Sequence, residues 1–276
     1  MLASKTRAAR VAVPGGALYA EEHGEGPPLL LIQGLGQGLW AWRYQVPVLA
    51  RRRRVITFDT RGTGRSSKPP GPYTIAQLAE DALIVLETFD ASPAHVAGFS
   101  MGGYVALTLV LAHPDAVRSL VLAGTGAGGP NRVPRPLEVR AAFEEAFGLP
   151  PEEFGRRTMP YTFSPGWPER SPERFEEILA ARLEHPTPAE TLLAHADACY
   201  GYYDTGCEVE RIAVPTLVVH GDADLIVPVE NGRMLAARLP GAEYVELDGR
   251  GHNLMLEDPD SFNELVEEFL TRAEPS

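Results

Sequence analysis

The sequence predicts an α/β protein with a mostly parallel, eight-stranded sheet that is covered by helices and carries an inserted helical cap. Two observations lead to this prediction. Short apolar, β-branched runs alternate with longer helical patterns, as they do in parallel sheets covered by helices. This alternation stops near Gly124 and resumes near Val214, and the stretch between them is rich in Pro and Glu, with helix-start patterns but no clear strand.

Size and charge restrict the class of protein. The chain has 276 residues, of which 44% are hydrophobic and 22% charged, as in one large globular domain or one domain with an insertion. A formal net charge of −12 disfavours nucleic acid and anionic membranes as partners, because both require a basic surface. No segment approaches the ~18 apolar residues of a membrane span. We therefore expect a cytoplasmic monomer or homodimer that acts on a small molecule.

The predicted strands follow one another in a simple order. Residues 10–13 and 17–22 flank Pro14-Gly15-Gly16 and indicate an opening antiparallel hairpin. The next runs are short, apolar and end at Gly, Asp or Ser, as strands buried on both faces do. These runs comprise residues 29–32, 55–58, 94–97 and 120–122, and two more follow the cap at residues 216–220 and 244–247.

Capping patterns place four helix starts. Two fit a capping box, and two place a capping side chain before a proline at the first helical position. The boxes are Thr74 with Gln77 and Ser261 with Glu264, and the proline starts are Ser171-Pro172 and Thr187-Pro188. The predicted organisation is a first core segment (1–125), the helical cap (126–211) and a second core segment (212–276).

The clearest candidate nucleophile is Ser100, in Gly98-Phe99-Ser100-Met101-Gly102 between a predicted strand and a helical run. A nucleophilic serine at a sharp strand-to-helix turn requires small residues two positions before and after it, and glycine occupies both. The helix that begins at Met101 directs free N–H groups and its positive end toward the serine oxygen. The alternative interpretation is a glycine-rich helix start in which Ser100 is only an N-cap.

Serine needs a base to take its proton, and the base needs a carboxylate to hold its tautomer. Asp224 lies just beyond the predicted strand 216–220, and His252 lies just beyond the strand 244–247. Ser, Asp and His thus follow one another in a known triad order. Asp222 and Asp248 compete with Asp224, and we assign the first to loop stabilisation and the second to a turn.

Together these segments resemble the α/β-hydrolase fold family, specifically its small esterase, lactonase and haloperoxidase-like members. The resemblance covers nearly all of the chain outside the cap and includes the segments 59–66, 98–102, 221–228, 251–252 and 257–259, and parts look like oxoadipate enol-lactonases. It implies that Ser100 is the nucleophile, His252 the general base and then acid, and Asp224 the group that orients His252. It also implies activity without a cofactor.

The resemblance also implies an oxyanion hole formed by the backbone N–H groups of Leu35 and Met101. One such donor is worth roughly 3 kcal/mol to a tetrahedral intermediate. The family commonly has His-Gly at the start of this loop, whereas this chain has Gln33-Gly34. Because the donor is a backbone group, glutamine is compatible with it, but the hydrogen bonds that support the loop are in question.

Other conspicuous residues receive structural interpretations. Cys199 and Cys207 lack partners at zinc-ligand spacing, so we predict no metal site and two ordinary thiols, with a single bridge left open. The run 51–54 of four arginines is interpreted as a solvated edge before a strand. The glycine-rich segment 59–66 lacks the Lys-Ser or Lys-Thr of a P-loop and is interpreted as a turn beside the active-site face.

The substrate is expected to be a small apolar ester or lactone, since a serine nucleophile implies acyl transfer. Gly34, Tyr161 and Trp167 are candidate pocket residues, although more than half of the cap's aromatic side chains are expected to pack the cap onto the core. Two other functions remain open. One is a carbon–carbon bond hydrolase or lyase with the same triad, and the other is a non-catalytic receptor for a small ligand.

Overall fold

The structure, a computed structural model, describes residues 6–274, and their eight strands form one sheet. The strands are β1 Thr6–Val13, β2 Gly16–His23, β3 Pro28–Ile32, β4 Arg54–Phe58, β5 Ala94–Phe99, β6 Val117–Ala123, β7 Thr216–Gly221 and β8 Glu243–Leu247. Their spatial order is β1-β2-β4-β3-β5-β6-β7-β8. Antiparallel pairing joins β1 to β2 and β2 to β4, and every other pairing is parallel.

Helices cover both faces of this sheet. The α-helices are α1 Val46–Leu49, α2 Ile75–Thr88, α3 Met101–Ala112, α4 Leu137–Ala146, α5 Pro151–Thr158, α6 Trp167–Arg170, α7 Pro172–Glu184, α8 Ala189–Thr205, α9 Val229–Arg238, α10 Leu254–Glu257 and α11 Pro259–Arg272. Short 3-10 helices comprise Leu39–Trp42, Pro114–Ala116, Met159–Thr162 and Val209–Arg211. The α/β-hydrolase architecture expected from the sequence is therefore confirmed.

Alternation along the central strands explains their continuous apolar runs. On β3, Leu30 and Ile32 belong to a core cluster that includes α2 and α3, whereas Leu29 and Leu31 belong to a second cluster that includes α11. Successive side chains of a strand point to opposite faces, so a strand covered on both faces must be apolar at every position. All eight predicted runs lie inside the observed strands.

Two of the predicted helix starts differ from the structure. Thr74 caps α2 as expected, because its side chain accepts a hydrogen bond from the Gln77 N–H. The prediction for Ser261 was wrong: α11 begins earlier, with Asp258 as the capping side chain and a proline at the first helical position. Thr187 does not cap α8 either, since Pro188 occupies the N-cap and the threonine hydroxyl bonds elsewhere.

The residues of the predicted cap, 126–211, contain helices α4–α8 and no strand, and we call this segment the cap below. Pro172 does start α7, although the Ser171 side chain makes no capping hydrogen bond. The division into residues 1–125, 126–211 and 212–276 stays a prediction, and its two ends, residues 1–5 and 275–276, lie outside the described residues. No helix between residues 6 and 274 is both long enough and apolar enough to span a bilayer.

The arginine run is not a uniformly solvated edge. Arg53 is only 3% exposed, and its guanidinium contacts Glu267, at 3.4 Å, together with Glu274 and Thr271. The prediction was wrong for this residue because α11 and the residues that follow it lie beside the start of β4 and supply the carboxylates. Arg54 also pairs with Glu22 at 3.0 Å.

The two cysteines are free thiols, so the bridge left open by the sequence is not formed. Cys199 is buried, and the Cys207 Sγ lies 2.9 Å from the Tyr202 hydroxyl. Within residues 6–274, no group of three or more His, Cys, Asp or Glu side chains is arranged to hold a metal ion.

A buried histidine makes the stability of the fold sensitive to acid. His95 on β5 is fully buried, and its Nδ1 lies 2.7 Å from the Ser119 hydroxyl. Burial, with a smaller contribution from Arg53, lowers the pKa of His95 to about 4, whereas histidine in an unfolded chain titrates near ~6.5. Between about pH 6.5 and 5 the unfolded chain therefore binds a proton that the folded chain does not.

We predict that the free energy of unfolding falls as the pH drops from about 6.5 to 5, and that His95→Asn reduces this slope. The reduction should approach about 1.4 kcal/mol per pH unit, the value for one proton. Urea unfolding of both proteins at pH 7.5, 6.5, 5.5 and 5.0 measures the slopes. Equal slopes in the two proteins would contradict the assignment to His95.

Candidate active site

The candidate nucleophile lies in a strained turn between β5 and α3. Ser100 has φ 53° and ψ −119°, one of only two positive-φ residues other than glycine within residues 6–274. L-amino acids rarely adopt this conformation, and where they do the surrounding structure must impose it. Here the Ser100 N–H donates to the Ala123 carbonyl at 2.9 Å, and the Thr125 hydroxyl donates to the Ser100 carbonyl at 2.9 Å.

Glycine is required on both sides of this turn because other backbone approaches closely. A Cβ on Gly98 would lie 2.3 Å from the Gly102 carbonyl oxygen, and one on Gly102 would lie 2.1 Å from the carbonyl oxygen of Ile32. The close approach expected from the sequence is thus present, and it also holds the turn against the end of β3. The Ser100 side chain makes no N-cap hydrogen bond, so the simple capping interpretation does not describe it.

Three of the predicted side chains meet at the carboxyl ends of β5, β7 and β8. The Ser100 Oγ lies 3.0 Å from His252 Nε2, and His252 Nδ1 lies 2.7 Å from Asp224 Oδ2. The His252 ring is buried and packs on Phe99, with 4.8 Å between ring centroids. This chain of contacts can pass a proton from the hydroxyl to an imidazole whose tautomer the carboxylate holds.

Asp224 is held as a charged acceptor. Its Oδ1 accepts the N–H groups of Ile226 and Val227 at 2.8 and 2.9 Å. Burial by itself would raise the pKa of Asp224, but the facing His252 and hydrogen bonds from His220 and His252 outweigh burial and hold that pKa well below its usual range. Asp224 therefore stays ionised across the neutral range.

The competing carboxylates do not reach the histidine. Asp222 accepts the Gly249 N–H at 2.7 Å, which is the loop-stabilising contact expected of it. Asp248 contributes its carbonyl to Arg250 at 3.1 Å, as part of the turn between β8 and His252.

Glu257 fixes the loop that carries His252. Its carboxylate is buried and accepts the N–H groups of Gly251 and Ser164, each at 3.0 Å, and the Ser164 hydroxyl as well. The histidine loop is thereby tied to the segment that precedes α6. The motif 257–259 carried part of the family resemblance, but no role for its glutamate was predicted.

The predicted oxyanion loop follows β3. Gly34 donates its N–H to the Gln37 side chain at 3.1 Å, and Gly36 donates to His195 Nδ1 at 3.3 Å. Between them, the Leu35 N–H has no protein acceptor among the described residues. Gln33 is fully buried and donates to the Phe58 carbonyl at 2.7 Å, so this departure from the family pattern does form a supporting hydrogen bond.

Ser100 and His252 open into a cavity of about 480 Å³ between the sheet edge and the cap. Aromatic and aliphatic side chains from α4, α5 and α8 form much of its wall. Four arginines also line it, namely Arg132, Arg135, Arg140 and Arg182, against a single acidic residue, Glu144. Such a volume accommodates a small organic substrate.

Two of the three predicted pocket residues do not line this cavity. Gly34 does, but Trp167 is buried against Phe163, with 4.2 Å between stacked ring centroids. Tyr161 packs against a cluster that includes Ile226 and Val227. The prediction was wrong for both because these rings fill the joint between cap and core, whereas Tyr200 and Tyr203 reach the cavity.

Sequence reasoning missed several polar residues around the site. His220 is fully buried, donates to the Val227 carbonyl at 2.8 Å and lies 3.3 Å from Asp224 Oδ2. Asn253 connects Gln37 to the cap residue Thr162 through contacts of 3.3 and 2.7 Å. The only sequence signal for either residue was its position beside a motif. His220 contacts residues four and seven positions along the same loop, whereas the Asn253 contacts join residues 91 and 216 positions apart.

Comparison with known proteins agrees with this architecture. The profile of the alpha/beta hydrolase fold family matches residues 27–259. The chain belongs to this family, as its motifs indicated.

Individual relatives cover nearly the whole chain. A candidate carbamate hydrolase, RutD, from Azorhizobium caulinodans is 35% identical over 249 residues, which cover 90% of this chain and 93% of that protein. The enol-lactonase from Burkholderia xenovorans LB400 has a TM-score of 0.83 at 32% identity, over 96% of this chain and 100% of that one. Est816, described as an N-acyl homoserine lactone degrading enzyme, has a TM-score of 0.79 at 30% identity, over 95% and 100%.

The backbone approach at the turn makes a specific prediction for Gly102→Ala. The substitution should destabilise the protein by at least about 2 kcal/mol, because the new Cβ overlaps the backbone of β3. Gly201→Ala is the matched control, since Gly201 is also helical but has nothing within 4 Å of its Cβ position. The control should gain about 0.5–1 kcal/mol from helix propensity. Urea unfolding at neutral pH measures both, and equal effects would contradict the steric argument.

Proposed function

We propose that the protein is a serine hydrolase that cleaves carboxylic esters or lactones through an acyl-serine intermediate. The observation that carries the proposal is the continuous contact from Ser100 Oγ through His252 to the buried carboxylate of Asp224, at the wall of a cavity of substrate size. A hydroxyl with a base 3.0 Å away is the arrangement that nucleophilic catalysis requires.

The proposed reaction has two halves. Ser100 Oγ attacks the carbonyl carbon while His252 Nε2 takes the hydroxyl proton, and the carbonyl oxygen becomes an oxyanion that accepts the N–H groups of Leu35 and Met101. The tetrahedral intermediate collapses, the bond to the leaving oxygen breaks, and His252 returns the proton to that oxygen. Water then attacks the acyl-serine with His252 as base, which releases the acid and restores Ser100. No step requires a cofactor.

The names of the relatives support the proposed classes of acyl substrate but do not choose among them. Two of the similar structures are named for action on lactones, and the relative most similar in sequence among those described above is named for action on a carbamate. Esters, lactones and carbamates all present a carbonyl carbon with a heteroatom leaving group, so one acyl-transfer site could serve all three bond types. The cytoplasmic location and the monomeric or homodimeric state stay predictions.

Two other functions use the same residues. A carbon–carbon bond hydrolase or lyase would act on ketone substrates and leave esters intact. A receptor would bind a ligand tightly, without turnover and without forming an acyl-serine. Both are separated from the proposal by direct assay of ester and lactone cleavage together with detection of the acyl adduct.

Replacing Ser100 by alanine should lower kcat/KM for p-nitrophenyl esters and for lactones by at least about 10³-fold, because no nucleophile remains. Ser171→Ala is a matched control, since the Ser171 side chain makes no capping hydrogen bond. Mass spectrometry of the wild type after a fluorophosphonate should find one adduct on Ser100. Undiminished hydrolysis by Ser100→Ala would falsify the proposal, and comparison of ester with lactone rates in the wild type decides between carboxylesterase and lactonase.

The arginines of the cavity indicate that the substrate carries a negative charge in addition to its apolar part. Arg132, Arg135 and Arg182 have no carboxylate within ion-pair distance in the described part of the chain, and Arg182 instead lies 5.5 Å from the centre of the Phe154 ring. Burial lowers the pKa of Arg182 to about 10, the effect of lost hydration on an unpaired cation. We infer that an acid group on the substrate supplies the missing anion, since arginine binds carboxylates in pairs of hydrogen bonds.

Arg182→Met tests this preference. The wild type should prefer a p-nitrophenyl ester whose acyl chain ends in a carboxylate over the same ester with that carboxylate methylated. Arg182→Met should reduce this preference by about 10-fold, or about 1.4 kcal/mol. Arg157→Met removes the same charge outside the cavity, where Arg157 faces Glu145, and serves as the control. The ratio of the two kcat/KM values is the measurement. An unchanged ratio in Arg182→Met contradicts the role of this arginine and leaves the serine mechanism intact.

A further inference from the structure

Cap helix α8 and the turn before it hold the backbone of the oxyanion loop at Gly36. The Thr187 hydroxyl donates to the Gly36 carbonyl at 2.9 Å, and the Gly36 N–H donates to His195 Nδ1 at 3.3 Å. A Cβ on Gly36 would lie 2.3 Å from Leu192 Cδ2, so the helix also packs directly on this backbone. Both polar backbone groups of Gly36 are therefore bound by the cap.

His195 joins the oxyanion loop to a second core loop. Its Nε2 donates to the Arg61 carbonyl at 3.0 Å, while its Nδ1 accepts from Gly36, so the ring is neutral with the proton on Nε2. The side chain is fully buried beside Tyr73, with 5.5 Å between ring centroids. Burial, opposed by the hydrogen bond to the Arg61 carbonyl, lowers the pKa of His195 to about 4, which keeps this tautomer at neutral pH.

The loop that contains Arg61 is itself held rigidly to the core. Arg61 makes two short hydrogen bonds, of 2.6 and 2.7 Å, with the buried carboxylate of Asp81 on α2. Glycines of the neighbouring core loops let the same face of α8 come close. A Cβ on Gly62 would lie 2.4 Å from Thr191, and one on Gly71 would lie 2.9 Å from Ala194. The cap helix α8 thus packs against the glycine-rich segment 59–66.

We propose that His195 is a positioning residue, through which docked α8 ties the oxyanion loop to the Arg61 loop and aims the Leu35 N–H at the reacting carbonyl oxygen. This inference rests on the proposed function, because it assigns the Leu35 N–H to the oxyanion. The peptide groups on either side of that N–H are bound, by Gln37 at Gly34 and by His195 at Gly36. A donor to an oxyanion must lie within a few tenths of an ångström of its place.

The effect of losing this contact should fall on the chemical step. The ground-state substrate has a neutral carbonyl, whereas the transition state has an oxyanion that depends strongly on its donors. A displaced Leu35 N–H therefore lowers kcat and leaves KM nearly constant. A general loss of cap packing would instead alter KM, since α8 forms part of the cavity wall.

The experiment compares three replacements of one ring. His195→Phe keeps the shape and removes both hydrogen bonds, and should lower kcat about 10- to 100-fold with KM changed by less than about 3-fold. His195→Asn places an amide oxygen near the position of Nδ1, so it should restore most of kcat. In His195→Gln the longer side chain can donate to the Arg61 carbonyl but cannot accept from the Gly36 N–H, so kcat should stay as low as in His195→Phe. Leu193→Ala is the control, on an exposed position of the same helix outside the cavity wall.

A transition-state analogue gives a second readout. A trifluoromethyl ketone forms an oxyanion adduct with Ser100, so His195→Phe should weaken its inhibition by the same factor as kcat, while inhibition by the corresponding neutral alcohol stays unchanged. Thr187→Val removes one hydrogen bond to Gly36 and should lower kcat and weaken ketone inhibition by a smaller factor. It replaces His195→Phe as the test variant if His195→Phe does not fold.

The outcomes separate the two proposals. Folded His195→Phe and Thr187→Val with wild-type kcat, or His195→Asn no faster than His195→Phe, overturn the positioning role. Equal losses in kcat for Leu193→Ala and His195→Phe also overturn it. Hydrolysis that survives in Ser100→Ala overturns the serine mechanism itself, whatever the His195 variants do.

Discussion

Hydrogen bonds and close backbone packing hold Ser100 in a conformation that an isolated chain would avoid. Its φ of 53° is maintained by hydrogen bonds with Ala123 at the end of β6 and with Thr125 just beyond it, and by contact between Gly102 and the end of β3. The strain costs of order 1–3 kcal/mol and persists because several neighbours impose it together. The rest of the site depends on this turn, since it alone brings the hydroxyl to His252 and directs the start of α3 at the same point.

Around this turn the polar residues fall into two connected sets. One holds the base: Asp224 accepts two backbone N–H groups, with His220 and His252 beside it, while Glu257 fixes the histidine loop. The other holds the loop after β3 through Gln37 and His195. Buried networks of this kind are stabilising only when their members are satisfied, and here most of the donors have acceptors. Asn253, next to the base, joins the two sets through Gln37.

Local patterns along the chain sufficed to predict the sheet, the turn at Ser100 and the contact of Asp224 with His252. Those features depend on periodicity, glycine spacing and position at strand ends, which are all local properties. The misassigned residues depend on distant partners: Arg53 is buried only because α11 brings Glu267 to it, and Thr187 bonds to Gly36 across 151 positions. Trp167 and Tyr161 were misplaced for the same reason, since an aromatic side chain in a cap looks alike whether it packs inward or faces a cavity.

The close packing of α8 against glycines of the core loops bears on how substrate selectivity changes during the evolution of such enzymes. An inserted segment is often regarded as an exchangeable module that alters selectivity while the core keeps its chemistry. In this chain the helix meets core backbone at Gly36, Gly62 and Gly71, at distances that leave no space for a single extra carbon. A transplanted cap would therefore need complementary small residues in both partners, so caps and core loops are expected to change together during evolution.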